Sequence, residues 1–390
     1  MATSNERQVA ATRREPDDVL DHVGPGADVV VPLACGEPRV LLQVLDEAAA
    51  AGRLEGVRVH QMHTAHDYPF LHGVYGDRLH HVSYFLSAIG RAAHDEGGCS
   101  LVPAHFSDMP RLLQRTTRCS LLVARAAPPD RHGYFSLGTN ADYSARLLGE
   151  VPVFLEVNPH MPRTFGENNV HVSQILGWCE ADEPLFEVDP PPVTDLDRHI
   201  AAYVAERVPD GATLQAGIGS VPNAVLELLA DHRDLDIHTE LISDGVVDLV
   251  ESRAVTGTRK TTRPGKVFTT FAAGSRRTYD WLADNPIVEM LPGRLGQRSA
   301  RHRSEERFVS INATVEVDFL GQCNPRPSPV GPGRAAGPGR LRPWGDALAR
   351  GQGFVVLHST AGDGRISRIV PRLSPGAAVT PPTRTPSTRW

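Results

Sequence analysis

A chain of 390 residues and 42.3 kDa has room for about two domains, each with its own core. With 41% hydrophobic and 22% charged residues it is not a disordered chain, a fibre or a small disulfide scaffold. A net charge of −6 supplies no global basic field for nucleic acid or an anionic membrane surface.

Residues 1–18, MATSNERQVAATRREPDD, read as a polar, frayed tail without the apolar core of a signal peptide. No run approaches the ~18 apolar residues of a membrane helix. Cys35, Cys99, Cys119, Cys179 and Cys323 lie far apart with no CxxC pair, which fits a reducing compartment. A soluble cytoplasmic protein is expected. The histidines show no metal-ligand spacing, so His63, His66 and His72 read as satisfied polar residues and no metal is expected.

A first α/β domain is expected over 19–185. GADVVVPLACGEPRVLLQVLDEAAAAG (26–52) reads as strand, Gly-containing loop and amphipathic helix. Ser120–Ala124 and VPVFLEVN (151–158) read as buried-type strands, which argues for a parallel sheet covered on both faces. Asp130, His132, Gly133 and Tyr134 fall in a loop after a strand. Glu156 and Asn158 share a face, and Arg163 is placed to pair with an anionic group. Residues 186–198 carry Pro190, Pro191 and Pro192 and read as an extended linker.

The second domain, expected over 199–390, restarts the pattern. Thr194 or Asp195 caps a helix. Strand–loop–helix units follow at 211–232, 235–255 and 265–286. In such sheets ligands sit beyond the carboxyl ends of the strands, so all three loops are expected to face one cleft.

The first loop is Gly217-Ile218-Gly219-Ser220-Val221-Pro222. Its glycines allow close backbone approach, and the helix expected near Pro222 would favour an anion. Equally it is a tight turn. Proline at the third glycine position excludes a dinucleotide fingerprint, and no GK[ST] follows. The second loop, His238 to Gly245, puts Glu240 at the end of a strand. That carboxylate is a general base, a metal ligand or a nucleophile, or else surface charge or a cap. The third loop, Phe271 to Ser275, offers backbone donors around Gly274 or ordinary turn chemistry. Val309 to Asp318 alternates like a half-buried strand with Asn312 and Glu316 on one face.

In order, LQAGIGSVPNAV (214–225), DLDIHTELISDGVVDLVE (234–251), GKVFTTFAAGSRRTYDWLADNP (265–286) and RFVSINATVEVDFLGQ (307–322) resemble the acetyl-CoA hydrolase/CoA-transferase family, on its 4-hydroxybutyrate CoA-transferase branch. DRHGYFSLG (130–138) and EVNPHMPRTFG (156–166) support the resemblance, which spans most of 20–322. It implies two open-sheet α/β domains of the NagB/RpiA/CoA-transferase type, a homodimer or homotetramer, and coenzyme A entering as acyl-CoA. A small carboxylate is the second substrate, with no nucleotide redox cofactor. Glu240 matches the family nucleophile. Gly217, Ile218, Gly219, Ser220 and Val221 match its CoA loop, with Gly274, Asn312 and Gly337 as further CoA contacts. The implied chemistry is ping-pong. Glu240 attacks the thioester to give an acyl-glutamyl anhydride, the released thiolate attacks the glutamyl carbonyl, and the resulting glutamyl-CoA thioester passes CoA to a second carboxylate. An acyl-CoA hydrolase and a non-catalytic CoA-binding remnant are the competing readings.

The resemblance weakens at 292–305, which is arginine-rich, and at 324–352, where only Gly337-Pro338-Gly339 is similar to the family's glycine loop. These stretches read as compensating reading-frame shifts or as a divergent loop, with the second domain truncated. Prolines there forbid a regular central strand.

Overall fold

In the computed structural model, residues 3–293, 307–324 and 351–373 are described. They divide into a first unit of residues 3–187, 270–273 and 279–293, and a second of 188–269, 274–278, 307–324 and 351–373. The division at 187/188 falls within the Pro-rich stretch 186–198. Residues 270–273 and 279–293, expected in the second domain, belong to the first unit.

The first unit is built on seven strands. They are β1 (Asp28–Val30), β2 (Val57–Gln61), β3 (Leu79–Ser83), β4 (Cys99–Leu101), β5 (Leu121–Ala126), β6 (Val153–Val157) and β7 (Gly177–Glu180). Every pairing is parallel, in the order β7-β6-β5-β1-β2-β3-β4. All residues of β5 and β6 are buried, as strands covered on both faces require. The strand order reverses between β1 and β5. Helices include α1 (Ser4–Thr12), α2 (Arg39–Ala50), α3 (Ala88–Asp95) and α4 (Met109–Thr116).

The expected tail differs: α1 has a capping box between Thr3 and Glu6. It is fixed by Trp178, whose indole donates to the Val9 carbonyl at 2.9 Å, and by Asn5, which donates to the His132 carbonyl at 3.0 Å. A polar face alone did not show that the other face had a partner.

Two buried carboxylates anchor the carboxyl edge of this sheet. Glu37, fully buried, accepts from Gln61 Nε2 at 2.6 Å, His66 Nδ1 at 2.7 Å, the Ala65 amide at 2.9 Å and Tyr68 Oη at 3.0 Å. Burial pushes its carboxyl up, but the bonds from His66, Ala65 and Gln61 outweigh this and leave it below the ordinary value. Glu156 Oε1 accepts from Arg125 Nε at 2.7 Å, while its Oε2 accepts the Val40 amide at 2.7 Å in the first turn of α2. Arg163 pairs with anionic groups as expected, and both belong to the chain itself: it bonds Asp130 and Asp284 at 2.9 Å each. His66 and His72 are paired with acids, as satisfied polar residues should be.

The second unit has a four-stranded parallel sheet of β8 (Thr213–Ala216), β9 (Asp236–Ile237), β11 (Phe308–Ala313) and β12 (Gln352–Val356), with β10 (Val267–Thr269) beside the β9 loop. The sheet order is β9-β8-β11-β12, so the reversal lies between β8 and β11. Its helices are α5 (Asp195–Ala205), α6 (Ser220–Leu228) and α7 (Asp244–Glu251). Thr194 caps α5 by a capping box with Asp197. Residues 309–318 are not one strand. Phe308 to Asn312 are buried throughout, as a central strand demands, and Glu316 opens a separate short strand, Glu316–Asp318. Asn312 and Glu316 therefore do not share a face. Most of the irregular stretches, at 294–306 and 325–350, lies outside the described residues, as does Gly337.

Candidate active site

Two loops of the second unit leave adjacent strands at their carboxyl ends. Gly217-Ile218-Gly219 follows β8 at the strand-order reversal, where ligands of open α/β sheets bind. Each glycine has a separate reason. At Gly217 a Cβ would come within 3.0 Å of the Ile311 carbonyl and of Asn312 Oδ1. Gly219 has φ +140°, a conformation side-chain-bearing residues rarely adopt. The helix begins at Ser220, two residues earlier than expected, with Gly219 as its N-cap. Its first internal bond is from the Asn223 amide to the Gly219 carbonyl at 3.1 Å, so the first-turn amides precede the ladder.

The expected CoA contacts differ in what remains available. The Gly217 amide donates to Ile311 at 2.7 Å and is spent in the sheet. The Asn312 carboxamide is paired with Gln215, donating at 3.1 Å and accepting at 3.3 Å. Ser220 Oγ donates to Asp197 Oδ1 at 2.8 Å, leaving Ile218 and Gly219 as the loop's outward surface; Ile218 is 70% exposed, whereas Val221, expected to contact CoA, is buried as an apolar first-turn residue of the helix. Asp197, 1% exposed, also accepts from Thr194 Oγ1 at 2.6 Å and pairs with His358 Nε2 at 2.8 Å. Burial pushes this carboxyl up, but the bonds from Thr194, Ser220 and His358 outweigh it and hold it well below the carboxylate range. Asp197 thus ties the glycine loop to α5 and to the loop after β12. Sequence reading missed it. The T-x-x-D spacing of Thr194 and Asp197 was the available signal, and it reveals the cap but not the second use.

Glu240 follows β9, the neighbouring strand. Its backbone is held from two sides. The His238 amide donates to Leu214 at 2.9 Å, and the Thr239 amide to Phe268 on β10 at 3.0 Å. Thr269 Oγ1 donates to the Glu240 carbonyl at 3.1 Å. Thr239 Oγ1 donates to the Ala216 carbonyl at 3.3 Å, which joins the residue before Glu240 to the residue before Gly217. The third loop is drawn in by Asp244, the first residue of α7. The Ser275 amide donates to its Oδ2 at 3.0 Å, so that amide is spent internally. Gly274 is a close approach, since a Cβ would lie 2.8 Å from Asp244 Oδ2.

Beneath this site lies Lys260, 2% exposed. Its Nζ donates to the carbonyls of Ile237 and Lys266 at 2.8 Å each and stands 3.9 Å from the centre of the Phe268 ring. It stitches the strands on both sides of Glu240. Lys260→Met removes the donor from two carbonyls, at about 1–3 kcal/mol each, and the ring contact besides. A denaturant melt should show a loss of at least about 2 kcal/mol. Among the described residues no group of three or more His, Cys, Asp or Glu side chains is placed to hold a metal ion, and no helix is long and apolar enough to cross a membrane.

Family models match the chain as the acetyl-CoA hydrolase/transferase N-terminal domain over residues 3–199 and the corresponding C-terminal domain over 274–387. The chain belongs to the acetyl-CoA hydrolase/transferase family. It is 36% identical over 384 residues to the succinyl-CoA:cyclohexane-1-carboxylate CoA transferase of Geobacter metallireducens, covering 97% of this chain and 86% of that protein. It is 36% identical over 306 residues to the 4-hydroxybutyrate coenzyme A transferase of Clostridium kluyveri, covering 77% and 71%. Among solved structures, RipA from Yersinia pestis superposes with a TM-score of 0.88 at 30% identity, covering 97% of this chain and 88% of that one. A 4-hydroxybutyrate CoA-transferase from Porphyromonas gingivalis gives 0.76 at 30% identity, covering 93% and 85%. The family act on acyl-CoA, so CoA is the ligand against which the glycine loop and Glu240 are to be judged.

Proposed function

We propose that this family member is a CoA-transferase that moves CoA from a short-chain acyl-CoA to a free carboxylate through a thioester on Glu240. The observation that carries the reading is the joined pair of loops: Thr239 Oγ1 on Ala216 couples a backbone-clamped glutamate to a glycine loop that opens a helix.

A carboxylate nucleophile suits this exchange. Attack by Glu240 on the thioester carbonyl expels CoA thiolate and leaves an acyl-glutamyl anhydride. The thiolate returns to the glutamyl carbonyl and the acyl carboxylate departs, so the thioester bond is conserved without ATP. A second carboxylate reverses the sequence. Each tetrahedral intermediate carries an oxyanion that needs positioned donors, and removing one costs about 10²–10³-fold. The amides of Ile218 and Gly219 are the candidates, since those of Gly217 and Ser275 are spent. The named relatives use succinyl-CoA, cyclohexane-1-carboxylate or 4-hydroxybutyrate, which supports a carboxylic acid as acceptor. A cytoplasmic homodimer or homotetramer belongs to the same reading and is checked by sedimentation.

The test is intact-mass spectrometry after incubation with butyryl-CoA, then borohydride reduction and peptide mapping. A CoA-sized adduct, or a reduced glutamate in the peptide spanning 238–244, is the expected result. A folded protein with no adduct overturns it. Adding acetate should then yield acetyl-CoA; CoA release to water alone identifies a hydrolase.

A further inference from the structure

Asp244 is four residues beyond Glu240, and its side chain points back across the third loop rather than into solvent. One oxygen accepts the Ser275 amide at 3.0 Å and the other the Ser275 hydroxyl. Gly274 packs against the same carboxylate, and its own carbonyl accepts the Val188 amide at 3.0 Å. The short segment Gly274-Ser275 is therefore gripped on two sides. Upstream, the chain into Glu240 is fixed by Phe268, Ala216 and Thr269. Between those anchors and Asp244 lie only Leu241, Ile242 and Ser243.

We infer that Asp244 is a positioning residue for the nucleophile: by bonding Ser275 it closes the downstream end of the loop that carries Glu240. The inference rests on Glu240 being the nucleophile. Ile242 is buried and Leu241–Ile242 is a short strand, so the Ser275 bonds add to a downstream fixing that is only two residues long. Without them the downstream end of the loop is held less tightly. The carboxylate then samples positions outside attack distance, and an error of about 1 Å is enough to cost on the order of 10²-fold. The charge itself is well supported. Burial pushes the Asp244 carboxyl up, but the Ser275 hydroxyl and amide outweigh this and hold it below the ordinary value. Its place in the first turn of α7 also favours an anion.

The bond makes no contact with CoA in this scheme, so it should act on the chemical step and not on ground-state binding. Asp244→Asn retains the size but can no longer accept both Ser275 donors. Ser275→Ala removes the hydroxyl while leaving the amide bond, and so is the milder variant should Asp244→Asn fold poorly. The experiment compares both with the parent enzyme in steady-state transfer from butyryl-CoA to acetate and in rapid-mixing mass spectrometry of the CoA adduct. Expected are a fall in kcat of roughly 10–100-fold for Asp244→Asn, a smaller fall for Ser275→Ala, KM for butyryl-CoA within about twofold, and equally slowed adduct formation. A parent enzyme that forms the adduct, with variants that form it at the parent rate, overturns the inference and leaves the nucleophile standing. So does a fall in which KM rises as much as kcat drops, the mark of general loosening. No adduct in the parent overturns the nucleophile first.

Discussion

Replacing Glu240 by Gln is expected to lower acyl transfer by on the order of 10⁴–10⁶-fold, the scale seen when a covalent nucleophile or its immediate partner is removed. Glutamine keeps the shape and the backbone clamp of Thr239 and Thr269 but has no anionic oxygen to attack a thioester. Butyryl-CoA binding, read by calorimetry, should stay within a few-fold of the parent. Glu240→Asp separates chemistry from reach. It keeps the charge and withdraws it by one methylene, a displacement of more than 1 Å, so a loss of about 10²-fold or more is expected. Equal activity in Glu240→Gln and the parent would remove Glu240 from the reaction altogether.

The second large effect is on stability, in the first unit. Arg125 is 1% exposed and its partner Glu156 fully buried. Breaking such a pair from one side leaves a buried charge without compensation and costs about 3–5 kcal/mol. Arg125→Met should therefore lower the melting temperature of this unit by roughly 6–20 °C. The loss should depend on pH. Burial already holds the Glu156 carboxyl above its ordinary value, with Arg125 pulling it down. An acid raised in the native state binds its proton more tightly folded than unfolded. Its stability contribution is greatest below the unfolded carboxylate pKa and falls as pH rises through and beyond it. Taking Arg125 away widens that gap, so the deficit should be larger at pH 8 than at pH 5. Arg125→Met combined with Glu156→Leu should recover part of the loss, because no buried charge remains. A deficit that is flat across pH would show that Glu156 does not feel Arg125.

How much of this could be read from residues alone follows from the kind of signal each feature leaves. β1, β5, β6 and β8 announce themselves as apolar runs ending on polar or glycine-bearing loops, so the parallel sheets and the loop positions of Gly217 and Glu240 were legible. Glycine at 219 is a local necessity of backbone angle, visible in sequence as GxG. Partners distant in sequence were not legible. Arg163 looks like an anion receptor until Asp130 and Asp284 are seen beside it. Ser220 looks available until Asp197 takes its hydroxyl. Lys260 carries no motif, because its role is set by where two carbonyls of other segments end. The alternation from 309 to 318 misled for a related reason: a central strand is buried on both faces, and its polar members are paired inside, as Asn312 is with Gln215.

The strand orders of the two units also bear on how the chain is made. The seven-stranded sheet is complete within residues 28–180, and each strand joins a neighbour already present when it emerges. The second sheet is assembled differently. Thr213 on β8 faces Phe308 on β11, and Val309 on β11 in turn faces Gln352 on β12. Its central pairing must wait for some ninety residues of intervening chain, a long loop to close before any reward is gained. During synthesis at about 5–20 residues per second, the backbone edge of β8 that takes β11 stays unpaired for several seconds. The half of the molecule that carries Glu240 is thus the one most dependent on chaperone protection while the ribosome is still at work.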